Sequence, residues 1–440
     1  MTIINTKTCS KCGASSTLEE GFVESDESCN AETICVTCYH YENDSDALQN
    51  YKVKILGLIV VGFILVNTGS KDVSNLGWFL INVALFLIVS FITTIIHELG
   101  HAFIAGLTGQ NVTAINFGRG KTIFSKKIFN TYLDFKKIPL GGLTFYLPKA
   151  SSWFRTKTMI ITAAGPVANL LVAWLLWDQI KSFDFVYSVI NEVAFIPIFF
   201  LSNLVTGCLN LIPFRFNSSF GEIWTDGGKI LTTPFINKEA IESYQFSGVY
   251  SQAFFALQHD DYKLTQTLSE DALRQYPDDR NLKNILGIAL IEQGSFSDAR
   301  SIFRKIITEK EISSFERGLY SNNIAYANYR LEDPDLLEES LELSEAAVNL
   351  VPWELAIRST RGSILIEAGQ LEEGIKLLND RGYKILSDPT YANVKSTLAI
   401  GYAKQGKIEL ARKNLQRAKD FDPGNEMAKR AEAFIQKESE

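Results

Sequence analysis

Long uncharged apolar stretches are confined to the first half of the 440-residue chain. Leu76–Ile96 runs 21 residues without a charge, Thr158–Trp177 runs 20 and Val193–Phe214 runs 22. A helix of that length crosses a hydrocarbon core of about 30 Å, and soluble helices of that length seldom lack a charged face. Ile55–Ser70 is only 16 residues long. The flanking Lys52, Lys54 and Lys71 can snorkel to the headgroups, so it counts as a further span and brings the total to about four. Between the second and third spans, Ile138–Pro148 (IPLGGLTFYLP) is apolar, turn-punctuated and β-prone. It predicts a hairpin that dips into the interface or lines a protein cavity.

From about Ala240 the pattern changes to paired amphipathic helices with a repeat near 34 residues. Leu286-Gly287, Leu290, Gly294, Ala299 and Phe303 correspond to Arg361-Gly362, Leu365, Gly369, Gly374 and Leu378. They correspond again to Leu398-Ala399, Tyr402, Gly406, Ala411 and Leu415, followed by Ala418 and Pro423. A small residue where two helices cross, with a larger one a turn later, is the packing code of stacked helix pairs, and this resembles tetratricopeptide repeats. Weaker copies cover Ala253–Pro277 and Ala325–Pro352, so about five repeats fill most of Ser243–Lys437. Such a solenoid would present a concave surface to a cytoplasmic protein or peptide.

Charge changes the picture at the N-terminus. The whole chain carries a net charge of −7, which argues against a nucleic-acid binder acting through bulk charge. Residues 1–50 alone hold two lysines against nine acids, so the remainder is neutral overall. Within that acidic segment Cys9-x-x-Cys12 and Cys35-x-x-Cys38 are separated by 22 residues, close to the spacing of a four-thiolate zinc ribbon. A structural zinc ion there would staple a segment too poor in apolar groups to fold alone. Cys29 and His40 are spare ligands, and a redox pair of C-x-x-C motifs is the other reading. Gly109–Lys157 carries nine basic residues against the single acid Asp134 and reads as a cytoplasmic loop. With four spans both termini share its side of the membrane, and reduced thiols agree with that placement.

Candidate chemistry lies at the end of the second span, where Ile96 is followed by His97-Glu98-Leu99-Gly100-His101; the chain has only four histidines. Spacing of four puts both imidazoles on one helical face, ready to share a zinc ion, with Glu98 alongside. Three ionisable groups at the end of an uncharged span are costly unless they pair or bind a cation, so function is the default reading.

These residues form an ordered set with Pro139-Leu-Gly-Gly142, Gly165-Pro-Val-Ala-Asn169, Asn210-Leu-Ile-Pro213 and Asp226-Gly227-Gly228. The set covers roughly Leu76–Leu231 and resembles the site-2 protease family of intramembrane zinc metalloproteases. The resemblance implies a catalytic zinc held by His97, His101 and Asp226, Glu98 as general base, and Asn169 helping to hold the substrate backbone or oxyanion. It also implies a membrane-spanning protein substrate that unwinds before its peptide bond is hydrolysed, with Gly141 and Gly142 at an edge that binds the extended segment. One departure is the twelve residues Phe214–Thr225, which separate the Asn-x-x-Pro and Asp-Gly-Gly elements and make Glu222 a competing ligand.

The expected architecture is therefore mainly α: a zinc ribbon over 1–50, a polytopic transmembrane helical bundle carrying the metalloprotease over 51–235, and a tetratricopeptide-like solenoid over 236–440. The expected location is a cell (inner) membrane, multi-pass. The alternative is a catalytically inactive membrane scaffold that recruits partners through its repeats.

Overall fold

The computed structural model describes residues 7–8, 15–16, 22–24, 33–148, 153–180, 185–218, 221–379 and 389–439. Side chains are described over 49–148, 153–180, 187–215, 223–379 and 390–438. The N-terminal strands are β1 (Lys7–Thr8), β2 (Ser15–Ser16), β3 (Phe22–Glu24) and β4 (Thr33–Cys35), which pair as two antiparallel ribbons, β1 with β2 and β3 with β4. Cys9, Cys12 and Cys29 lie outside the described residues, as do the side chains of Cys35, Cys38 and His40, so the four-cysteine ribbon stays an expectation.

Helix α1 (Val36–Thr68) is followed by α2 (Lys71–Leu107). Two long strands, β5 (Asn111–Ile128) and β6 (Thr131–Leu147), lead to α3 (Phe154–Ile180), the short α4 (Phe185–Asn191) and α5 (Phe195–Leu211). Among the described residues three stretches, Gln49–Thr68, Lys71–Leu107 and Phe154–Ile180, are long and apolar enough to cross a membrane. The last uncharged run gives a shorter helix than its 22 residues suggested, because α5 has only 17. Pro213 lies two residues beyond its C-terminal end. At its start the chain breaks between α4 and α5, and Asn82 of α2 repairs that break. The Asn82 amide donates to the carbonyls of Val189 and Glu192 and accepts from the Ala194 N–H. Non-helical backbone packed among apolar helices needs such a partner.

β5 and β6 do more than form one hairpin. Ala114–Phe117 pairs on one side with Gly142–Phe145 and on the other with Tyr132–Phe135, while Phe124–Ile128 pairs with Thr131–Phe135. The strands thus curl into a small sheet with Gly142–Phe145 at an edge; among the described residues no further strand pairs with it. Ile138–Pro148 is not a hairpin of its own, as the sequence suggested, because Ile138–Leu147 is the second half of β6 and pairs with β5; its Gly142–Pro148 end does line a cavity.

Strands β7 (Arg215–Ser218) and β8 (Gly221–Trp224) form a tight hairpin that leads into α6 (Asp226–Thr232). Then comes α7 (Lys238–Gln258), capped by Asn237, whose side chain accepts from the Ala240 N–H. Sequence pattern assigned α7 to the repeats, yet it packs within the same compact unit as the apolar helices, Asn43–Asp261. Its buried Phe255 lies against Tyr132 and Phe145 of the sheet.

The helices from Tyr262 onward belong to the second unit: α8 (Tyr262–Gln275), α9 (Arg280–Glu292), α10 (Phe296–Ile307), α11 (Ser314–Leu331), α12 (Leu337–Leu350), α13 (Leu355–Glu367), α14 (Leu371–Leu378), α15 (Pro389–Lys404), α16 (Ile408–Phe421) and α17 (Glu426–Ser439). Successive helices pack as pairs, and the small positions are where the repeat code put them. A methyl added at Gly287 would lie 2.5 Å from the Phe303 ring, and one at Gly362 would lie 2.6 Å from Leu378 Cγ. The core of the last pairs is Leu398, Ala399, Ala411, Leu415 and Ala418, with Met427 and Ala431 of α17 covering its end.

The C-terminal end of α7 is held to the sheet by a pair of the buried Asp134 and the half-buried His259. His259 Nε2 lies 2.8 Å from Asp134 Oδ1, its Nδ1 lies 2.6 Å from the Phe255 carbonyl, and its ring stacks on Tyr132 at 4.0 Å. Burial works against both charges, but the mutual hydrogen bond outweighs it, helped on Asp134 by the Ser125 hydroxyl and on His259 by the Phe255 carbonyl. Asp134 is therefore held below its ordinary 3.8 and His259 above its ordinary 6.5. The imidazole's contribution is complete below pH 6.5 and is lost as pH rises through its raised value. The carboxylate's contribution is complete above pH 3.8 and is lost as pH falls through its lowered value. Hydrogen-exchange protection of α7 should thus be greatest between those limits and fall on the alkaline side; His259→Phe, which keeps the ring stack, should remove the alkaline fall.

Candidate metal centre

The buried end of α2 presents His97 and His101 one turn apart, with their rings edge to face at 4.7 Å between centroids. Each ring is fixed from behind. His97 Nδ1 is 2.7 Å from Asn169 Oδ1, and His101 Nδ1 is 2.8 Å from the carbonyl of Ile161; both partners lie on α3. The Asn169 amide nitrogen is committed to Thr93 O and Asn203 Oδ1, so its oxygen is what faces His97. Two acceptors therefore hold the proton on each Nδ1 and leave each Nε2 with its lone pair turned forward. Hydrogen-bonding to the far ring nitrogen is the usual way a protein orients a metal-ligating imidazole.

Asp226 completes the cluster. Its Oδ2 lies 2.9 Å from His97 Nε2 and 3.4 Å from His101 Nε2, and one ligand atom from each residue falls within 4.8 Å of the others. The twelve-residue insertion does not displace it, because β7 and β8 fold back on each other. Arg215 pairs with Trp224, and its guanidinium stacks over the indole at 4.4 Å. The hairpin ends are then tied together: Thr225 N–H donates to the Phe214 carbonyl, and the Thr225 hydroxyl donates to the Ile212 carbonyl at 2.7 Å. The same hydroxyl accepts from the Gly228 N–H as the cap of α6, so Asp226 stands on the first turn of that helix. Gly227 passes so near the end of α5 that a methyl there would sit 1.9 Å from the Leu211 carbonyl oxygen. The side chain of Glu222 lies outside the described residues.

The donor set fits zinc. Two imidazole nitrogens and one carboxylate oxygen converge in a buried site that opens to a cavity on one side. Gly165 of α3 lies directly against it: an added methyl would come within 2.4 Å of His101 Nε2 and 2.7 Å of His97 Nε2.

A cavity of about 520 Å³ opens over the centre. His97, Glu98, His101 and Asp226 form its floor. Gly142–Tyr146 of β6 forms one wall, and Asn210, Trp224 and Lys229 contribute from the α5–α6 region. Tyr244, Ser247 and Ser251 of α7 line it as well. Asn169 is absent from that lining and fully buried. The expected contact of Asn169 with substrate or oxyanion therefore does not fit this geometry, since both ends of its amide are spent on protein groups. Asn210, by contrast, is among the residues that line the cavity, its amide nitrogen donating to the Thr206 carbonyl. Gly142 borders the cavity beside Glu98, and Gly141, at φ +72°, makes the preceding turn.

Sequence reasoning missed Thr144, whose hydroxyl donates to Glu98, and the Thr93–Ser202 and Asn169–Asn203 contacts that tie α2, α3 and α5 together. Alternation along the strand could have found Thr144, because it shares a face with Gly142.

The described residues thus bring a buried His–His–Asp cluster and a glutamate together at the end of an apolar helix, under a cavity. Residues 85–183 match the model of Peptidase family M50, the family of the site-2 proteases. A candidate zinc metalloprotease from Neisseria meningitidis serogroup A is 33% identical over 111 residues, 22% of this chain and 25% of that protein. A TPR repeat-containing thioredoxin from Arabidopsis thaliana is 33% identical over 107 residues, 24% of this chain and 14% of that protein. The match thus spans a quarter or less of either relative's length. Among solved structures, a TPR protein of Thermus thermophilus aligns at 18% identity over 43% of this chain and 99% of its own, with a TM-score of 0.35.

Gly165→Ala should abolish zinc binding by the membrane domain, because its methyl occupies the space in front of both Nε2 atoms. Asn169→Ala should weaken zinc affinity by about 10- to 100-fold by freeing the His97 ring. Zinc titration of the purified chain checks both; unchanged affinity in Asn169→Ala would remove the orienting role.

Proposed function

We propose that the chain is an intramembrane zinc metalloprotease that hydrolyses peptide bonds of membrane-embedded protein substrates. The observation that carries this reading is the convergence of His97, His101 and Asp226 beside Glu98 on the floor of a cavity with Gly142–Phe145, the outermost segment of the described sheet, in its wall. When bound, zinc would supply Lewis acidity toward the scissile carbonyl and an attacking water. His97, His101 and Asp226 would hold it. The Glu98 carboxylate takes the proton from the water as its oxygen adds to the carbonyl carbon, and returns it to the departing amine nitrogen as the C–N bond breaks. Gly142–Phe145 offers main-chain groups to an unwound substrate segment, which aligns an extended backbone across the centre. Asn210 lines the same cavity, and its amide oxygen is a candidate acceptor for that backbone.

The reading extends to the rest of the chain. The apolar helices, α5 included, form a multi-pass bundle in a cell (inner) membrane, with both termini on the cytoplasmic side as the basic Gly109–Lys157 segment requires. Cys9, Cys12, Cys35 and Cys38 hold a structural zinc in the 1–50 segment, 51–235 is the protease, and the helices of 236–440 recruit a protein or peptide partner.

The test uses the purified full chain in detergent with zinc and a single-span reporter protein. Wild type should cleave it. Glu98→Gln should lose cleavage and keep zinc, while Asp226→Ala should lose both. Cleavage by Glu98→Gln at the wild-type rate would end the protease assignment.

A further inference from the structure

We infer that Thr144 is a positioning residue for Glu98, so that the strand offered to substrate also aims the general base; this rests on the protease reading above. The Thr144 hydroxyl lies 2.8 Å from Glu98 Oε2 and 3.0 Å from the Glu98 main-chain carbonyl. Among the described residues it is the side chain that hydrogen-bonds this carboxylate, and Glu98 itself is buried. Two residues earlier on the same face of β6, Gly142 comes so close that an added methyl would lie 2.6 Å from Glu98 Cγ. The glutamate side chain is therefore enclosed on its strand side by a backbone that admits no side chain at 142 and by a hydroxyl at 144. One carboxylate oxygen is held, and rotation of the group about its terminal bond is restricted.

Such restraint matters because a glutamate has three rotatable bonds, and a base acts only within hydrogen-bond reach of the proton it abstracts. The restraint also comes from a particular place. Gly142–Phe145 is the edge strand that borders the cavity, so a peptide added to it and the base that serves it share one rigid element. A shift of the strand moves both together, which keeps the scissile bond and the carboxylate in register. Thr144 touches the cavity but acts through Glu98, whereas strand addition uses the backbone, which a change of side chain leaves in place.

The experiment compares wild type, Glu98→Gln, Thr144→Val, Thr144→Ala and Thr144→Ser as full chains on the same reporter, with kcat, KM and bound zinc measured for each. Valine keeps the branched shape and strand preference of threonine but has no hydroxyl. Thr144→Val and Thr144→Ala should lower kcat by about tenfold or more, with KM and zinc content unchanged, and Thr144→Ser should recover most of the loss. If wild type cleaves and Glu98→Gln does not, while Thr144→Val or a folded, zinc-loaded Thr144→Ala cleaves with wild-type kcat, the positioning role is wrong and the protease reading stands. A raised KM with normal kcat would make Thr144 a substrate contact and overturn the inference equally. If wild type itself fails to cleave beyond Glu98→Gln, the protease reading falls and takes the inference with it.

Discussion

Two imidazoles and two carboxylates buried at the end of an apolar helix are the constraint around which this fold is built. In that setting each polar group is costly unless another group answers it, and the partners come from every neighbouring element. α3 contributes Asn169, the Ile161 carbonyl and the bare backbone at Gly165. The sheet contributes the Thr144 hydroxyl, and the α5–α6 connection brings Asp226. Behind this layer Asn203 and Ser202 of α5 meet Asn169 and Thr93, so the helices that hold the site are joined by polar contacts as well as by packing. Removing any one partner leaves a buried polar atom unanswered rather than merely losing a contact.

The second requirement is to bring a carboxylate from a distant part of the chain to the two histidines. Asp226 lies 129 residues after His97, and a hairpin intervenes where the family motif runs nearly uninterrupted. The hairpin is harmless because its strands pair in register and Thr225 ties its exit to its entrance. An insertion that returns the chain to where it left is tolerated even next to a buried cluster. Sheet curvature solves a related problem on the other side of the cavity, where Ala114–Phe117 is paired on both edges and leaves Gly142–Phe145 outermost, beside Glu98.

Helix α7 links these elements to the helical pairs in sequence, yet it contributes to the cavity wall through Tyr244, Ser247 and Ser251 and is fastened to the sheet by Phe255 and His259. The apolar helices alone would leave that side of the cavity uncovered. Its fastening mixes apolar packing with one ionisable pair, so its seating varies with pH while the packing around Phe255 does not.

The sequence by itself determined the apolar helices, the helix-pair periodicity and the two histidines with their glutamate, because each is a local pattern written at the period of its own secondary structure. Uncharged runs long enough to span a membrane and His97–His101 at one helical turn need no distant partner to be read. Only the tertiary structure decided the rest. That Asn169 faces His97 rather than the cavity depends on how α2 and α3 cross, and a Gly-Pro-x-x-Asn motif carries no mark of which way its amide points. Thr144 is one polar residue in an apolar strand until the strand is laid against Glu98. Asp226 joins the two histidines because a hairpin closes, and α7 joins the cavity rather than the repeats because Phe255 finds a buried place against Tyr132 and Phe145. Each of these outcomes is set by contacts between residues far apart in the chain, where the periodicity of a single element carries no information.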